Sequence, residues 1–485
     1  MAIAMVQIPN NLLVPGQYEE IDNSLAGAQG DIKKALIIGY KTAGSPAEAG
    51  KPVQVLSAAK AAELCGYGSP AAIMAGAFLA LNKTEECWIL PAAEPEAGTA
   101  WQKPFTLTAE AASAGSVEIL INGKTFTAPV SAGSAAAQIA AAVTARINGG
   151  ENLPVEAAAN ENVVTVSSLV KGIVGNSNTV SMKAAAAGVS VSAGTVVPGT
   201  GTAELADLFP LLGGTRYHYF ISDFADAGNI KALADELESR YGALRQIGGR
   251  AFIALSGEAG SATEEGSLIA QAQAVNSPHI VLIPRLAGPQ LPCEWAARFA
   301  APAIRRLADD PAANTYDIQA DGLNAREEPD FDTRQKLLEA GIATWRLDPA
   351  GTVLIERLVT SYTENTDGGR DTSYLDVQVT ETVDAIRTYI NAEAKKRYKN
   401  WKLAGTEENF GSGSRVMTPD IFRSFLCGLY QDVFILEKQW CQDFESYKAS
   451  LLVELMAGSK TRLQYQHQPV LIGQFLIGAG LLQFR

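Results

Sequence analysis

The sequence predicts a layered α/β core that is interrupted by a small β-rich α+β domain and carries extended strand arms at its N- and C-termini. Three observations support this. Short apolar runs alternate with alanine-rich helical stretches on both sides of residues 97–201. Residues 97–201 change to alternating strands and turn formers, and both chain ends read as apolar extended segments.

Met1 to Asp22 breaks into short extended pieces: Val6-Gln7-Ile8, the stop at Pro9-Asn10-Asn11, Leu12 to Val14, then Pro15-Gly16. Proline and glycine this close together oppose a helix and favour a turn or an arm. An N-terminal arm is therefore expected over 1–25. The core opens over 26–96 with a strand at Lys34 to Gly39, helices at Leu56 to Cys65 and Pro70 to Leu81, and a strand at Cys87 to Leu90.

The stretch Ala92 to Lys103 interrupts this rhythm with proline, glycine and polar residues. Strands follow at Phe105 to Thr108, Ser116 to Ile121 and Thr125 to Val130, the last two joined through Asn122-Gly123, a hairpin signal. A small helix at Ser134 to Ile147 and a strand at Val163 to Ser167 complete an expected insertion over 97–201.

The α/β rhythm resumes over 202–343. Strands are expected at Tyr217 to Ser222, Arg250 to Ser256 and His279 to Pro284, and helices at Asn229 to Tyr241, Glu264 to Val275 and Cys293 to Ala308. With Lys34 and Cys87, these strands would form a mostly parallel sheet. A mixed α+β region is expected over 344–460: a hairpin around Asp348-Pro349-Ala350-Gly351, a long helix from Val377 to Trp401, a helix from Thr418 to about Gln439, and a strand at Tyr447 to Met456.

A C-terminal arm is expected over 461–485. Apolar and aromatic residues alternate with glutamines from Leu463 to Gln468, the period of a strand with one buried face. Val470 to Leu482 is then apolar except for Gln474 and its glycines. That run is well short of the roughly 20 residues a membrane helix needs, so membrane insertion is not expected. An apolar end must be covered, either by its own domain or by another subunit.

Composition sets the remaining bounds. The 485 residues are 47% hydrophobic and 19% charged, a globular balance long enough for about three domains. With 39 Lys and Arg against 52 Asp and Glu, a net charge of −13 argues against direct nucleic-acid binding through a broad basic surface. No basic segment leads into an apolar core and cleavage site, so a cytoplasmic start is expected. The five cysteines show no C-x-x-C spacing and read as free thiols; on a shared helix Cys427 and Cys441 would lie about 21 Å apart, too far to bridge.

No catalytic constellation stands out, and no cofactor or metal is expected. His218 and His279 fall in apolar strands and His467 in the arm, where a lone histidine is more often a core or interface residue. Gly123-Lys124-Thr125 lacks the earlier glycine of a phosphate loop, because position 118 is Glu118. Gly411-Ser412-Gly413-Ser414-Arg415 reads as a flexible loop, and the acids around Glu327, Glu328, Asp330 and Asp332 as a solvated one. The cations Lys395, Lys396, Arg397, Lys399 and Lys402 could face an acidic partner, although a helix C-terminus attracts such a cluster by itself.

With the chain assembled, the whole resembles the contractile phage tail sheath family, in particular that of Mu-like phages. VPGQYEEID at Val14–Asp22 is similar to the family's N-terminal arm, and WCQDFESYKASLLVELM at Trp440–Met456 to its late helix and strand. SKTRLQY at Ser459–Tyr465 and QPVLIGQF at Gln468–Phe475 look like its C-terminal arm. LING at Leu120–Gly123 and GIVGN at Gly172–Asn176 resemble small domains that decorate phage tail proteins.

The resemblance implies a tail-sheath-like fold and a non-enzymatic subunit, polymerised helically with many copies of itself around a tail tube. Its expected partners are the tube, baseplate and tail terminator proteins. It would be a virion tail component made and assembled in the host cytoplasm, and its contraction would drive the tube through the host envelope. The arms would add strands to neighbouring subunits through Val6, Ile8, Leu12, Val14 and Tyr18 at one end and Leu463, Tyr465, Val470, Ile472, Phe475, Ile477, Leu481 and Phe484 at the other. The cations Lys395 to Lys402 are the expected tube-facing group. Two other classes compete: a non-contractile self-assembling protein, and an α/β enzyme, which converging acids in a pocket at the strand C-terminal ends would favour.

Overall fold

The structure is a computed structural model that describes residues 32–484 except 109–110, 265, 287, 406–409 and 411–413. The expected N-terminal arm residues Val6, Ile8, Leu12, Val14 and Tyr18 lie outside the described residues.

Strand β1 (Lys34–Tyr40) begins the core and is buried from Ala35 onward, as its apolar run requires when both faces of a sheet are covered. A short edge strand β2 (Val53–Val55) precedes helices α1 (Ala58–Cys65) and α2 (Pro70–Leu81) and strand β3 (Glu86–Ala92). Both helix starts are capped by serine: Ser57 Oγ accepts from Lys60 N, and Ser69 Oγ from Ala72 N, each at 3.2 Å. A proline occupies the first position of α2, where no N–H partner is lost.

Seven strands and one helix follow: β4 (Gln102–Thr108), β5 (Gly115–Ile121), β6 (Lys124–Val130), α3 (Ala136–Asn148), β7 (Val155–Asn160), β8 (Val163–Ser168), β9 (Val180–Ala184) and β10 (Ser190–Ala193). They form two antiparallel sheets, β10-β4-β8-β7 and β6-β5-β9, around a core of their own that includes Phe105, Ile119, Val143 and Val164. The turn between β5 and β6 places Asn122 at φ 48° and Gly123 at φ 83°, the left-handed pair a two-residue hairpin demands. Thr99 bridges Thr200 where the chain enters and leaves this unit, with their hydroxyls 2.9 Å apart.

Beyond it the sheet is completed by β11 (Tyr219–Ser222), α4 (Ala227–Tyr241), β12 (Arg250–Leu255), α5 (Leu268–Gln273), β13 (Ile280–Pro284) and α6 (Pro292–Asp309). Its order is β13-β12-β11-β1-β3-β2, parallel except for β2. Alternate strand residues serve opposite faces. Ile37, Ile221 and Phe252 meet Phe78 of α2 and Trp295 of α6, whereas Leu36, Phe220 and Ile253 meet Leu233 and Leu237 of α4. The helix expected over Glu264 to Val275 is shorter, because Ser267 caps α5 by accepting from Ala270 N and donates to Ser261 O.

A small antiparallel sheet β14-β16-β15 joins β14 (Ile318–Gln319), β15 (Thr344–Leu347) and β16 (Val353–Arg357), with α7 (Phe331–Glu339) between the first two in sequence. The β15–β16 turn closes as expected at Asp348, whose Oδ1 accepts from Ala350 N and Thr352 N at 2.8 Å. The second strand of this hairpin stops at Arg357.

Helix α8 (Val377–Tyr398) ends three residues earlier than expected. Lys399 is extended and Asn400 left-handed at φ 68°, which stops the helix, so Lys399 and Lys402 lie outside it. A parallel pair, β17 (Lys402–Leu403) and β18 (Val416–Met417), leads to α9 (Pro419–Gly428), which continues as a π-helix over Leu429–Glu437. The chain finishes with β19 (Cys441–Gln442), α10 (Phe444–Ser450), β20 (Leu452–Leu455), β21 (Leu463–Gln466) and β22 (Val470–Leu471).

One expectation is corrected here. The stretch from Tyr447 is helical up to Ser450 before strand β20 begins, because the Asp443 carboxylate accepts from both the backbone N and the Oγ of Ser446 and nucleates a turn. Cys427 and Cys441 do not share a helix: the first is in α9 and the second in β19. All five cysteines are free thiols.

Candidate assembly surfaces

The C-terminal segment divides into a bound half and an uncovered half. Leu463 and Tyr465 sit in β21, which pairs antiparallel with β20 of the same chain, Leu463 opposite Leu455 and Tyr465 opposite Val453. Val470 lies opposite Gln442 in the β19–β22 pair, and Ile472 N donates to Trp440 O at 3.0 Å. Two further ties follow: Gln474 Nε2 donates to Ala312 O, and Asn314 Nδ2 to Phe475 O at 3.2 Å.

Past that point no regular structure is seen among the described residues, and only Leu476 is partly covered. The side chains of Phe475, Ile477, Leu481, Leu482 and Phe484 are 80–91% exposed. Five large apolar groups in ten residues would bury at roughly 1.5–3 kcal/mol each, a driving force well beyond that of scattered surface leucines. The β20–β21 hairpin is a two-stranded sheet whose outer edges pair with no other strand among the described residues, and Leu452 on it is 62% exposed.

The aromatic pocket behind β22 anchors the bound half. Tyr430, on the π-helix, donates its hydroxyl to Gln442 O at 2.7 Å and accepts from Val470 N at 3.0 Å. Burial pushes its phenol well above the usual tyrosine range, so it remains a donor. Phe434 stacks on Trp440, whose indole donates to Asp310 Oδ1 at 3.1 Å.

The basic residues are exposed but partly engaged. Arg397 donates to Glu393 at 2.8 Å and stands over the Phe425 ring at 5.5 Å; Lys396 pairs with the same Glu393 at 3.7 Å. Lys395, Lys396 and Arg397 fill the last turn of α8, as the helix dipole favours. The five cations therefore do not form one continuous helical face.

At its other end α8 is fixed to the N-terminal ends of the core strands by a buried ionic network. Arg250 donates to Thr380 Oγ1 at 2.8 Å, meets Glu381 at 3.3 Å and lies 3.0 Å from His279 Nδ1. Asp384 accepts from Arg216 and from Arg387, which also covers the Tyr241 ring at 4.3 Å. His279 is held below its usual pKa mainly by burial, against the opposing hydrogen bond to Glu238 at 2.9 Å. His218 is pushed down to about 2, first by burial and then by the Lys33, Arg216 and Lys34 cations. Its Nδ1 accepts from Lys34 N at 3.1 Å. These two histidines are core residues, while His467 packs edge-on against Tyr447.

The acidic loop also has a structural role. Asp330 caps α7 by accepting from Thr333 N at 2.7 Å, and Glu328 binds Arg334 and accepts from Leu347 N. Glu118 and Lys124 face outward on the β5–β6 hairpin, away from any phosphate-loop geometry. Among the described residues no three His, Cys, Asp or Glu side chains converge as a metal site, and no helix is long and apolar enough to cross a membrane.

The described residues form a layered α/β body with an apolar tail held at its root and exposed at its end. The chain is 29% identical, across an alignment of 493 positions covering the whole of both sequences, to the Mu-like prophage FluMu tail sheath protein of Haemophilus influenzae. The resemblance read from the sequence thus extends along the whole of this tail sheath protein. No protein-family model matches it. Among solved structures, a sheath tail protein of Desulfitobacterium hafniense aligns with 95% of this chain and 100% of that one at 11% identity and a TM-score of 0.45. A chain of the anti-feeding prophage baseplate aligns with 98% and 99% at 11% identity and a TM-score of 0.47.

Proposed function

We propose that this chain is the structural subunit of a contractile phage tail sheath, polymerising helically around a tail tube and contracting without nucleotide hydrolysis. The observation that carries this reading is the uncovered tail Phe475–Phe484, on a chain whose full-length relative is a tail sheath protein. A tail that leaves its own body can reach a neighbour, and head-to-tail contacts of this kind generate open helices. The open edges of the β20–β21 hairpin are suited to receive arms from neighbouring copies by strand addition, at roughly 0.5–1.5 kcal/mol net per main-chain hydrogen bond.

In this reading Phe475, Ile477, Leu481 and Phe484 make the outgoing contacts. Leu463, Tyr465, Val470 and Ile472 hold the root of the arm on its own body. Val6, Ile8, Leu12, Val14 and Tyr18 form the second, N-terminal arm. Residues 26–96, 202–343 and 344–460 form the body, and the 97–201 unit projects from it. The exposed cations Lys395 and Lys399 are the best placed of the basic group to face a tube; Lys396, Arg397 and Lys402 flank them.

Contraction would be a re-packing of bodies held together by the arms. Burying about 400 Å² more per subunit would return roughly 10 kcal/mol gross, and many subunits add these terms. Gly458, at φ 78° in the β20–β21 turn, suits a bend near the arm root. Tube, baseplate and terminator proteins complete the proposed partner set. The chain would act as a non-enzymatic component of the virion tail, assembled in the host cytoplasm.

Deleting 476–485 tests the arm. The truncated chain should keep its circular dichroism spectrum and unfolding midpoint but lose polymerisation. Long cylinders from the truncated chain would overturn the role of the tail. A cut at 463 is less informative, because it also removes the β21 and β22 pairings.

A further inference from the structure

The core sheet has a topological switch point between β1 and β11. The helices following β1 pack on one face of the sheet and the helix following the adjacent β11 packs on the other, so a crevice opens at the carboxyl ends of these two strands. Open α/β sheets bind small ligands in that position. Here it holds a cavity of about 210 Å³, bounded by Tyr40 after β1, Asp223 after β11, Ser256 after β12, the N-terminus of α6 at Cys293, and Val174 and Asn178 of the inserted unit. An apolar space of about 150 Å³ already accommodates a benzene-sized molecule.

The chemistry of the lining is one-sided. Asp223 Oδ2 is shut off from solvent and has no hydrogen-bond partner among the described residues. A buried acceptor left unmatched costs roughly 1–3 kcal/mol, so such groups usually mark an unfilled role. No Lys, Arg or His lines the cavity. Arg285, which is outside the lining, donates Nη1 to Ser256 Oγ at 3.1 Å. Asp226 is occupied as the cap of α4, accepting from Asn229 N at 3.1 Å and Asn229 Nδ2 at 2.9 Å. The rest of the wall is mainly apolar, including Pro70, Val170 and Leu291.

We infer that this cavity binds a small organic ammonium compound, its cationic head donating to the Asp223 carboxyl group and its apolar body lying against the wall between the core sheet and the inserted unit. The donor set contains too few metal-ligating side chains for a cation without an organic body. The Cys293 thiol, pushed far above its usual pKa by burial, keeps its proton and hydrogen-bonds the same carboxyl, so a head group would share Asp223 with it. Because the ligand would touch both the core and the inserted unit, occupancy would tie the two together.

The test uses the full-length chain and n-butylammonium chloride, with 1-butanol and sodium butyrate as controls. The expected result is a saturable rise of the unfolding midpoint with butylammonium, following the logarithm of its concentration, and none with butanol or butyrate. Asp223→Asn, nearly isosteric, should weaken the effect at least tenfold. Ala254→Leu, which fills the space, should abolish it, with circular dichroism reporting that each variant folds. An absent effect in the parent chain, or an equal effect in Asp223→Asn, would overturn the inference.

Discussion

Tyr430 and Tyr447 stack with ring centroids 3.7 Å apart and planes within 5°, and Tyr430 alone of the two reaches the backbone of the terminal segment, at Val470 N. The pair thus links the π-helix, α10 and β22 at the root of the proposed arm. Replacing Tyr430 by Phe keeps the stack and removes the hydroxyl's hydrogen bonds to Gln442 O, Val470 O and Val470 N, a loss of about 1–2 kcal/mol. Hydrogen exchange should quicken at Val470–Ile472 while the core sheet is unchanged. Tyr430→Ala should cost about 3–5 kcal/mol through the cavity it leaves.

Arg250 and Glu381 make the second prediction. Arg250 is 0% exposed, and Glu381 packs against it with its side chain 12% exposed, its carboxyl pushed up by burial while the guanidinium opposes that shift. Removing one partner strands the other, so Arg250→Met should destabilise the chain by roughly 3–5 kcal/mol in denaturant titrations. Because the pair fixes α8 to the sheet, the aromatic cluster around Phe434 should loosen with it.

Acid should act through His218. Its folded pKa of about 2 lies below the usual 6.5, so the neutral form is the one folding favours. The stabilisation is complete above pH 6.5 and is lost progressively as pH falls below it toward 2. Two units below the usual value, the loss is roughly 2–3 kcal/mol. In His218→Gln the unfolding midpoint should fall less steeply between neutral pH and that point.

Asp223 has the opposite sign. Burial pushes its carboxyl up to about 7 from 3.8, so folding favours the protonated acid. Its cost to stability is absent below pH 3.8, grows as pH rises to about 7, and is constant above. Asp223→Asn should therefore stabilise the empty chain by up to about 4 kcal/mol at pH 8 and by little at pH 4.

The close approach of the core to the inserted unit makes a further prediction. Gly68 has φ 77°, and a Cβ there would stand 1.9 Å from Leu153 O. Gly68→Ala must both strain the backbone and push Leu153 away, at a cost of roughly 1–3 kcal/mol or more. Limited proteolysis should then reach the segments around Thr99 and Thr200 sooner than in the parent chain.

What was legible in the sequence follows from where the determining contacts lie. Lys34–Tyr40 and Arg250–Leu255 are continuous apolar runs, and strands buried on both faces announce themselves that way. Strand β7, reading VEAAAN, carries alanines that suit a helix as well and is placed by pairing with β8. Helix α7 was hidden in an acidic stretch whose Asp330 turned out to be its cap. In the terminal segment, the glutamine and aromatic alternation shows that a strand forms but not whose edge it joins; Tyr430 and Trp440, some 30 to 40 positions earlier, decide that for β22. The switch-point cavity was illegible because Tyr40, Asp223 and Cys293 come together only through the fold.

The most direct test of the central claim is electron microscopy of the concentrated full-length chain, alone and with its cognate tail tube. The account predicts hollow helical cylinders in which residues 476–484 of each copy lie on a neighbouring copy. Closed rings, flat lattices, globular particles that persist in the presence of the tube, or cylinders whose tails fold back on their own bodies would contradict it.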